Sequence, residues 1–228
     1  MKKNILLLFL VLITVVSIVA CKKKAVDETI TETTTVLETE KETEKPVETV
    51  KETVNEAKKD AEGIMSNNVE ISIKDYGKIT LELEPGAAPK TVENFVKLVN
   101  RGFYNGLTFH RIIKDFMIQG GDPLGNGTGG SEENIEGEFS NNGVANNISH
   151  KRGVISMARS MDPNSASSQF FIVHKDSEFL DGNYAAFGHV TSGIEVVDKI
   201  CDSVKVEDDN GTVSRENQPI IEYIKMID

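Results

Sequence analysis

The alternation of apolar and polar residues from Asn68 onward predicts that this part of the chain opens with antiparallel sheet. The runs VEISI and KITLEL alternate apolar and polar positions, and between them lies the turn-like segment Asp75-Tyr76-Gly77. A period of two places every second side chain on the same face of a strand. We therefore predict a two-stranded hairpin with one buried face.

A longer period follows the hairpin and predicts a helix. Apolar residues recur at helical spacing between Val92 and Val99. Pro89 stands where a first helical residue would fall, and Gly102 stands where the helix would stop. The pattern predicts one amphipathic helix here, and a second helix over residues 193–200.

The rest of the apolar residues occur in short runs separated by glycine. These runs are LTFHRII, FMIQGG, GVISMA, QFFIV, AAFGHV and IIEYIKMI. Many short strands with only two helices are typical of a closed barrel. The pattern predicts a mainly β fold, an antiparallel closed β-barrel capped by two α-helices.

The first 20 residues have the pattern of a secretory signal. Lys2 and Lys3 precede an apolar run of 16 residues, which is short for a spanning helix of about 20 residues. The run ends in Ile18-Val19-Ala20-Cys21, which resembles a bacterial lipobox. This resemblance implies removal of residues 1–20 and acylation of Cys21, which would hold the protein on a membrane outside the cytoplasm. The alternative is an uncleaved anchor helix with an incidental cysteine.

Residues 21–67 have the composition of a tether. After the cysteine they are rich in Glu, Thr, Lys and Val and contain no aromatic residue, so they cannot bury enough apolar surface to offset the entropy of ordering. We predict a disordered linker. The spacing of Val47, Val50 and Val54 leaves open a helix that pairs with another copy, and the tether could itself serve as a spacer or adhesive element.

Length, composition and charge restrict the function classes. The 228 residues, 39% hydrophobic and 27% charged, allow one domain with appendages, and we assign that domain to residues 68–228. The formal net charge of −11 disfavours nucleic acid as a partner. Two cysteines, one of them assigned to the lipid, exclude a disulfide framework.

A glycine-rich stretch, Gly125-Asn126-Gly127-Thr128-Gly129-Gly130, fits the spelling G-x-G-x-x-G of a dinucleotide site. Such a site needs a helix after the glycines and a surrounding βαβ unit. The residues that follow, SEENIEGEFSNNG, are polar and interrupted by glycine. We predict a surface loop whose glycines adopt positive φ, and no nucleotide cofactor.

Metal sites are not indicated either. Asp208, Asn210 and Gly211 resemble part of a calcium loop, but Val206 occupies the first ligand position, so we predict a turn. The four histidines, namely His110, His150, His174 and His189, lack the spacing of metal ligands.

Three blocks of residues resemble the cyclophilin-type peptidyl-prolyl isomerases. The first is FHRIIKDFMIQGGD at 109–122, followed by GTGG at 127–130; the second is MAR at 157–159 with SQFFI at 168–172; the third is FLDG at 179–182, leading to Phe187-Gly188. The resemblance extends from about Val69 to the C-terminus. It implies an eight-stranded antiparallel barrel with a helix at each end.

The resemblance also implies a catalytic pair, Arg111 and Gln119. An X-Pro bond rotates slowly because of its C–N double-bond character. In the twisted state the prolyl nitrogen regains a lone pair that a fixed cation can hydrogen-bond, and Arg111 matches that cation. Gln119 would hold Arg111 and contact the substrate backbone.

A proline ring needs an apolar cup, and the resemblance assigns this role to Phe116, Met117, Phe171 and Leu180. On composition alone these four would be core residues. Ala158 and Arg159 match the strand whose backbone holds the residue before proline, and Gln169 matches an amide of the groove. His110 is expected to support its strand rather than to titrate in catalysis.

Two further residues near the expected cup depart from the commoner family pattern. Phe179 stands where cyclosporin-sensitive members have tryptophan, which implies weak affinity for that inhibitor. Tyr184 replaces a histidine often found beside the cup. We expect turnover of substrate to survive both changes.

The sequence therefore predicts a monomeric isomerase that acts on proline-containing polypeptides and assists the folding of exported or cell-envelope proteins. It needs no metal or cofactor, because the implied chemistry uses only side chains. The alternative is a binding module, a scaffold or holdase that docks proline-containing segments without essential turnover.

Overall fold

The computed structural model describes residues 67–228. The predicted signal peptide, Cys21 and nearly all of the predicted tether lie outside the described residues. Within residues 67–228, no helix is both long enough and apolar enough to cross a bilayer.

Eight strands form a single antiparallel sheet, as predicted, and two helices pack against it. In the order β3-β4-β6-β5-β7-β2-β1-β8 the strands are hydrogen-bonded neighbours. The elements are β1 (Asn68–Ile73), β2 (Gly77–Leu83), α1 (Pro89–Asn100), β3 (Phe109–Ile113), β4 (Met117–Gly120), β5 (Val154–Met157), β6 (Phe170–Val173), β7 (Ala186–Ser192), α2 (Ile194–Ser203) and β8 (Ile221–Ile227). The hairpin and both helices are confirmed, with α2 three residues longer than predicted at its C-terminal end.

The expectation of a closed barrel is wrong in one respect, because the sheet curls but its two edge strands do not form a ladder. Between β3 and β8 the structure has an isolated bridge from Thr108 to Ile220. Two main-chain bonds flank it, from Phe109 N to Pro219 O at 3.0 Å and from Ile221 N to Leu107 O at 2.8 Å. Pro219 has no N–H to donate, so regular pairing stops at this seam.

Helix α1 is capped by a residue that is distant in sequence. Ala88 precedes the helix and has no side chain to cap it. Instead the buried carboxylate of Glu138 accepts hydrogen bonds from Lys90 N at 3.0 Å and from Thr91 N and Oγ1 at 2.8 and 2.7 Å. A carboxylate satisfies the free N–H groups and the positive end of a helix, so Glu138 ties the loop before β5 to α1.

Two apolar clusters stabilise the domain. The larger one is centred on Phe95 of α1, whose ring centroid lies 5.2, 5.8 and 5.1 Å from those of Tyr104, Phe170 and Phe187. A smaller cluster lies on the other face of the sheet and consists of the buried residues Met117, Val154, Phe171, Val173, Leu180 and Ala186. The smaller cluster forms the base of the candidate site.

The glycine-rich loop is organised by the carboxylate of Asp122. It accepts hydrogen bonds from the backbone N–H groups of Leu124, Asn126 and Gly127 at 2.8, 3.0 and 2.6 Å. Partial burial raises the pKa of Asp122, but these N–H groups outweigh that effect and keep its pKa below the ordinary value. The predicted positive φ is found at Gly125 and Gly127.

Candidate active site

Strand pairing aligns the candidate residues across one face of the sheet. Arg111 of β3 pairs with Gln119 of β4, Gln119 pairs with Phe171 of β6, and Phe171 pairs with Ser156 of β5. Directly paired residues lie on the same face. Intervening residues such as Ile118 and Phe170 belong to the larger core cluster. The alternation along each strand therefore places the site residues on one face of the sheet and the core residues on the other.

The two residues of the predicted catalytic pair are in contact. Arg111 Nη1 donates to Gln119 Oε1 at 3.2 Å. Partial burial lowers the pKa of Arg111, but a guanidinium remains charged near neutral pH. The strands thus present a fixed cation at the edge of the groove.

A chain of amides fixes the orientation of Gln119. Its Nε2 donates to Gln169 Oε1 at 2.9 Å, and Gln169 Nε2 donates to the carbonyls of Gly129 and Gly127 at 2.7 and 3.1 Å. Because each amide nitrogen has an acceptor, the oxygen of Gln119 must face Arg111. The glycine-rich loop therefore sets the direction of the entire chain.

The predicted cup residues line one groove of about 700 Å³. Phe116 is half-buried, whereas Met117, Phe171 and Leu180 are buried, with 1%, 5% and 7% of their surface exposed. The same groove includes Arg111, Gln119, Ala158, Arg159 and Tyr184. Their positions place the guanidinium of Arg111 in the same groove as the apolar side chains of Met117, Phe171 and Leu180.

Gln169 and Phe179 lie outside this groove. Gln169 lines a smaller adjoining depression of about 210 Å³, together with Gln119, Ala158 and Arg159. Phe179 is 70% exposed, and its ring lies against Phe116, with centroids 5.5 Å apart and planes at 34°. Phe179 thus extends the rim of the cup rather than its wall.

The side chain of Arg159 is held by two aromatic rings and by a backbone carbonyl. Its Cζ lies 5.0 Å from the ring centroid of Phe139 and 4.8 Å from that of Tyr184. Its Nε and Nη2 both donate to Asn183 O, at 2.9 and 2.8 Å. Tyr184 in turn meets the ring of Phe171 edge-on at 5.8 Å, so Arg159 supports one wall of the groove.

A buried polar network lies behind Phe171. His150 is 1% exposed, with Nδ1 2.8 Å from Asp181 Oδ1 and Nε2 3.0 Å from Ser156 Oγ. Burial lowers the pKa of His150, and Asp181 only partly opposes this effect. The imidazole is therefore mainly neutral at pH 7, and its hydrogen bonds join β5 to the segment at Asp181 beneath the cup.

His110, beside Arg111, is 5% exposed, and neither ring nitrogen has a hydrogen-bond partner within residues 67–228. Burial is the largest effect on its pKa and lowers it. His110 also lines the groove, and its role as a support for the strand stays a prediction. In the same part of the chain, no group of three His, Cys, Asp or Glu side chains is placed to hold a metal ion.

Two groups of residues border the site that the sequence interpretation had not assigned to it. Asn126, Gly127 and Thr128 of the glycine-rich loop line the groove; the GTGG motif at 127–130 was a signal that could have found Gly127 and Thr128. Asn210 accepts two hydrogen bonds from Arg111. The predicted turn at Asn210 contained no signal for that contact, since the two residues lie 99 positions apart.

Comparison with known proteins identifies the class of this fold and site. Residues 68–225 match the family described as cyclophilin type peptidyl-prolyl cis-trans isomerase. The match covers more than half of the chain. The chain therefore belongs to the cyclophilin family of peptidyl-prolyl isomerases, and it is an isomerase.

Individual relatives agree with this assignment. Peptidyl-prolyl cis-trans isomerase cypE of Dictyostelium discoideum is 50% identical over 125 residues, which are 54% of this chain and 78% of the relative. Peptidyl-prolyl cis-trans isomerase B of Bacillus subtilis is 49% identical over 123 residues, 54% of this chain and 82% of the relative. A cyclophilin-type isomerase of Cryptosporidium parvum, crystallised in the presence of the dipeptide Ala-Pro, is 31% identical with a TM-score of 0.63; 71% of this chain and 99% of that one are covered.

Proposed function

We propose that this isomerase holds the proline of its substrate over the apolar cup while Arg111 stabilises the twisted X-Pro bond. As the bond rotates, the prolyl nitrogen becomes pyramidal and gains a lone pair. A donor that meets this lone pair binds the transition state more strongly than the planar amide, which is the requirement for catalysis. No covalent intermediate is needed.

The observation that carries this proposal is the contact of Arg111 with Gln119 at the edge of an apolar groove. A cation beside apolar walls is more effective than one in water, because the local dielectric constant is lower. The buried Met117, Phe171 and Leu180 provide those walls. Burial of a proline ring there would supply binding energy that does not depend on the state of the amide.

The proposed substrates are polypeptides with an accessible X-Pro bond. The Cryptosporidium parvum relative was crystallised with an Ala-Pro dipeptide, which suggests a suitable probe. The groove is open at the surface, so a segment of a longer polypeptide could enter it.

We further propose that the protein acts on exported or cell-envelope proteins while anchored by lipid on Cys21. The support is in the sequence: Lys2 and Lys3, the apolar run, and the lipobox-like ending at Cys21. A tether of this length would span roughly 35 to 40 Å as a coil. That is enough to separate the domain from lipid headgroups.

The catalytic proposal is tested with Arg111→Ala and Arg111→Lys in the full chain. NMR exchange spectroscopy on an Ala-Pro peptide gives the exchange rate of bound peptide and the dissociation constant together. We expect Arg111→Ala to lower the exchange rate about 100- to 1000-fold, the usual effect of losing one preorganised donor, with little change in affinity. Arg111→Lys retains the charge but not the planar fork and should recover only part of the rate. An unchanged rate in Arg111→Ala would favour a binding module instead.

A further inference from the structure

Arg111 is held from two sides, and only one of them is the Gln119 contact. On the other side, Arg111 Nε donates to the backbone carbonyl of Asn210 at 2.8 Å, and Nη2 donates to Asn210 Oδ1 at 3.2 Å. Nε and Nη2 of Arg111 thus donate to two oxygens of the same residue. These two hydrogen bonds define the plane of the guanidinium. A single contact would leave that plane free to rotate.

The turn that carries Asn210 is itself rigidly built. The Asp208 carboxylate accepts from Thr212 N at 3.0 Å and from Thr212 Oγ1 at 2.9 Å. Gly211 N donates to Asp208 O at 3.0 Å. Such side-chain bonds to the backbone stabilise a turn. They also keep the pKa of Asp208 below its ordinary value, so the carboxylate that caps the turn stays charged at neutral pH.

The same turn docks on the free edge of β3 on either side of Arg111. Ile112 N donates to Gly211 O at 2.8 Å, and Val213 N donates to His110 O at 3.0 Å. Gly211 has φ of 81°, and a Cβ there would lie 2.3 Å from Ile112 O. The backbones approach so closely that only glycine fits. This segment covers the part of the β3 edge that β8 leaves unpaired.

Some N–H groups of Arg111 are not hydrogen-bonded within the described residues 67–228 and could bind substrate. A guanidinium has five N–H groups. Two are bound by Asn210 and one by Gln119. Within residues 67–228 this leaves one N–H on Nη1 and one on Nη2 without a partner, and both lie in a plane that Asn210 has fixed.

We propose that Asn210 is a positioning residue for catalysis, which aims the two remaining N–H groups of Arg111 at the prolyl nitrogen. The inference rests on the proposed role of Arg111. In this role Asn210, which also borders the groove, acts through Arg111: its amide oxygen removes alternative orientations of the guanidinium before substrate binds. Small errors in the placement of a catalytic group reduce rate far more than affinity.

The test compares Asn210→Ala with Asp209→Ala in the full chain. Asp209 is the exposed neighbour in the same turn, and its side chain has no hydrogen-bond or ion-pair partner within residues 67–228. We expect Asn210→Ala to lower the exchange rate of saturating Ala-Pro peptide about 3- to 30-fold, because one hydrogen bond to a charged group is lost while the backbone acceptor remains. The dissociation constant should change less than 2-fold, and Asp209→Ala should match the wild type.

A double-mutant cycle separates positioning from a structural effect. If Asn210 acts through Arg111, Asn210→Ala should have no further effect on rate in the Arg111→Ala background. The inference would be overturned if Asn210→Ala lowered the exchange rate equally in both backgrounds. It would also be overturned if the lower rate were explained by a lower melting temperature of the variant. An Asn210→Ala rate equal to that of Asp209→Ala would have the same consequence. If Arg111→Ala alone left the rate unchanged, the proposed function itself would fail, which is a distinct outcome.

Discussion

The phenyl ring of Phe171 lies nearly parallel to the imidazole of His150, with centroids 6.0 Å apart and 15° between the planes. One face of Phe171 borders the groove, and the buried histidine supports it from behind. The wall of the cup therefore depends on a residue whose neutral form is favoured by burial. Protonation of His150 at low pH should therefore weaken the support of this wall.

Stability should fall as the pH is lowered below about 6.5. Burial lowers the pKa values of His110 and His150 from the ordinary value of 6.5, so the unfolded chain binds protons that the folded chain does not. The stabilisation is complete above the unfolded pKa and is lost as pH falls toward the folded values. Urea unfolding between pH 5 and 8 measures this slope. His150→Gln should flatten the slope, and an unchanged slope would contradict the assignment.

Replacement of Phe171 should damage both stability and binding. Phe171→Ala removes a buried ring and should cost about 3 to 5 kcal/mol of unfolding free energy. It also opens the cup, so the affinity for an Ala-Pro peptide should fall together with turnover. Phe171→Leu keeps most of the apolar volume and provides a folded variant for the affinity measurement. Full affinity in Phe171→Leu at reduced stability would show that the ring serves the core alone.

Arg159→Asn should loosen the wall of the groove formed by Tyr184. The substitution removes two ring contacts and two hydrogen bonds to Asn183 O, and a cation over an aromatic ring contributes about 0.5 to 2 kcal/mol. We expect a lower melting temperature and weaker peptide binding. Arg159→Lys retains the charge without the planar fork and is the matched control. Equal behaviour of Lys and Arg at this position would show that charge alone matters.

Cys21→Ser should release the protein from membranes without loss of isomerase activity, because acylation needs the thiol and the proposed chemistry does not. Detergent phase partitioning measures the first property, and peptide exchange measures the second. Metabolic labelling with a radiolabelled fatty acid provides the control. Continued labelling of the Ser variant would contradict lipid attachment at Cys21.

Local patterns predicted the elements of this fold well, because hairpins and amphipathic helices are encoded by neighbouring residues. Val69, Ile71 and Ile73 alternate as a strand requires, and all three are buried. The open seam at Pro219 was not predicted, because the pattern of short strands indicated a closed barrel. Whether two edge strands meet depends on the curl of the entire sheet, which no local period records.

The residues of the candidate site also differ in how well the sequence predicted them. Arg111, Gln119 and Phe171 were found because they lie in motifs, and strand pairing brings them together. Contacts between distant loops carried no local signal: Glu138 caps a helix 47 residues earlier in the chain, and Asn210 reaches Arg111 across 99 positions. Such contacts follow from tertiary packing alone.

The pairing of Asn68 with Ile227 places the two ends of the folded domain side by side. A short peptide could therefore join residue 228 to residue 67, giving a circular permutant. New termini could be opened at Gly143, which is exposed and has open space around its α-carbon. Because residue 67 continues into the predicted tether, a reporter fused after Asp228 would emerge beside the point where that segment joins the domain.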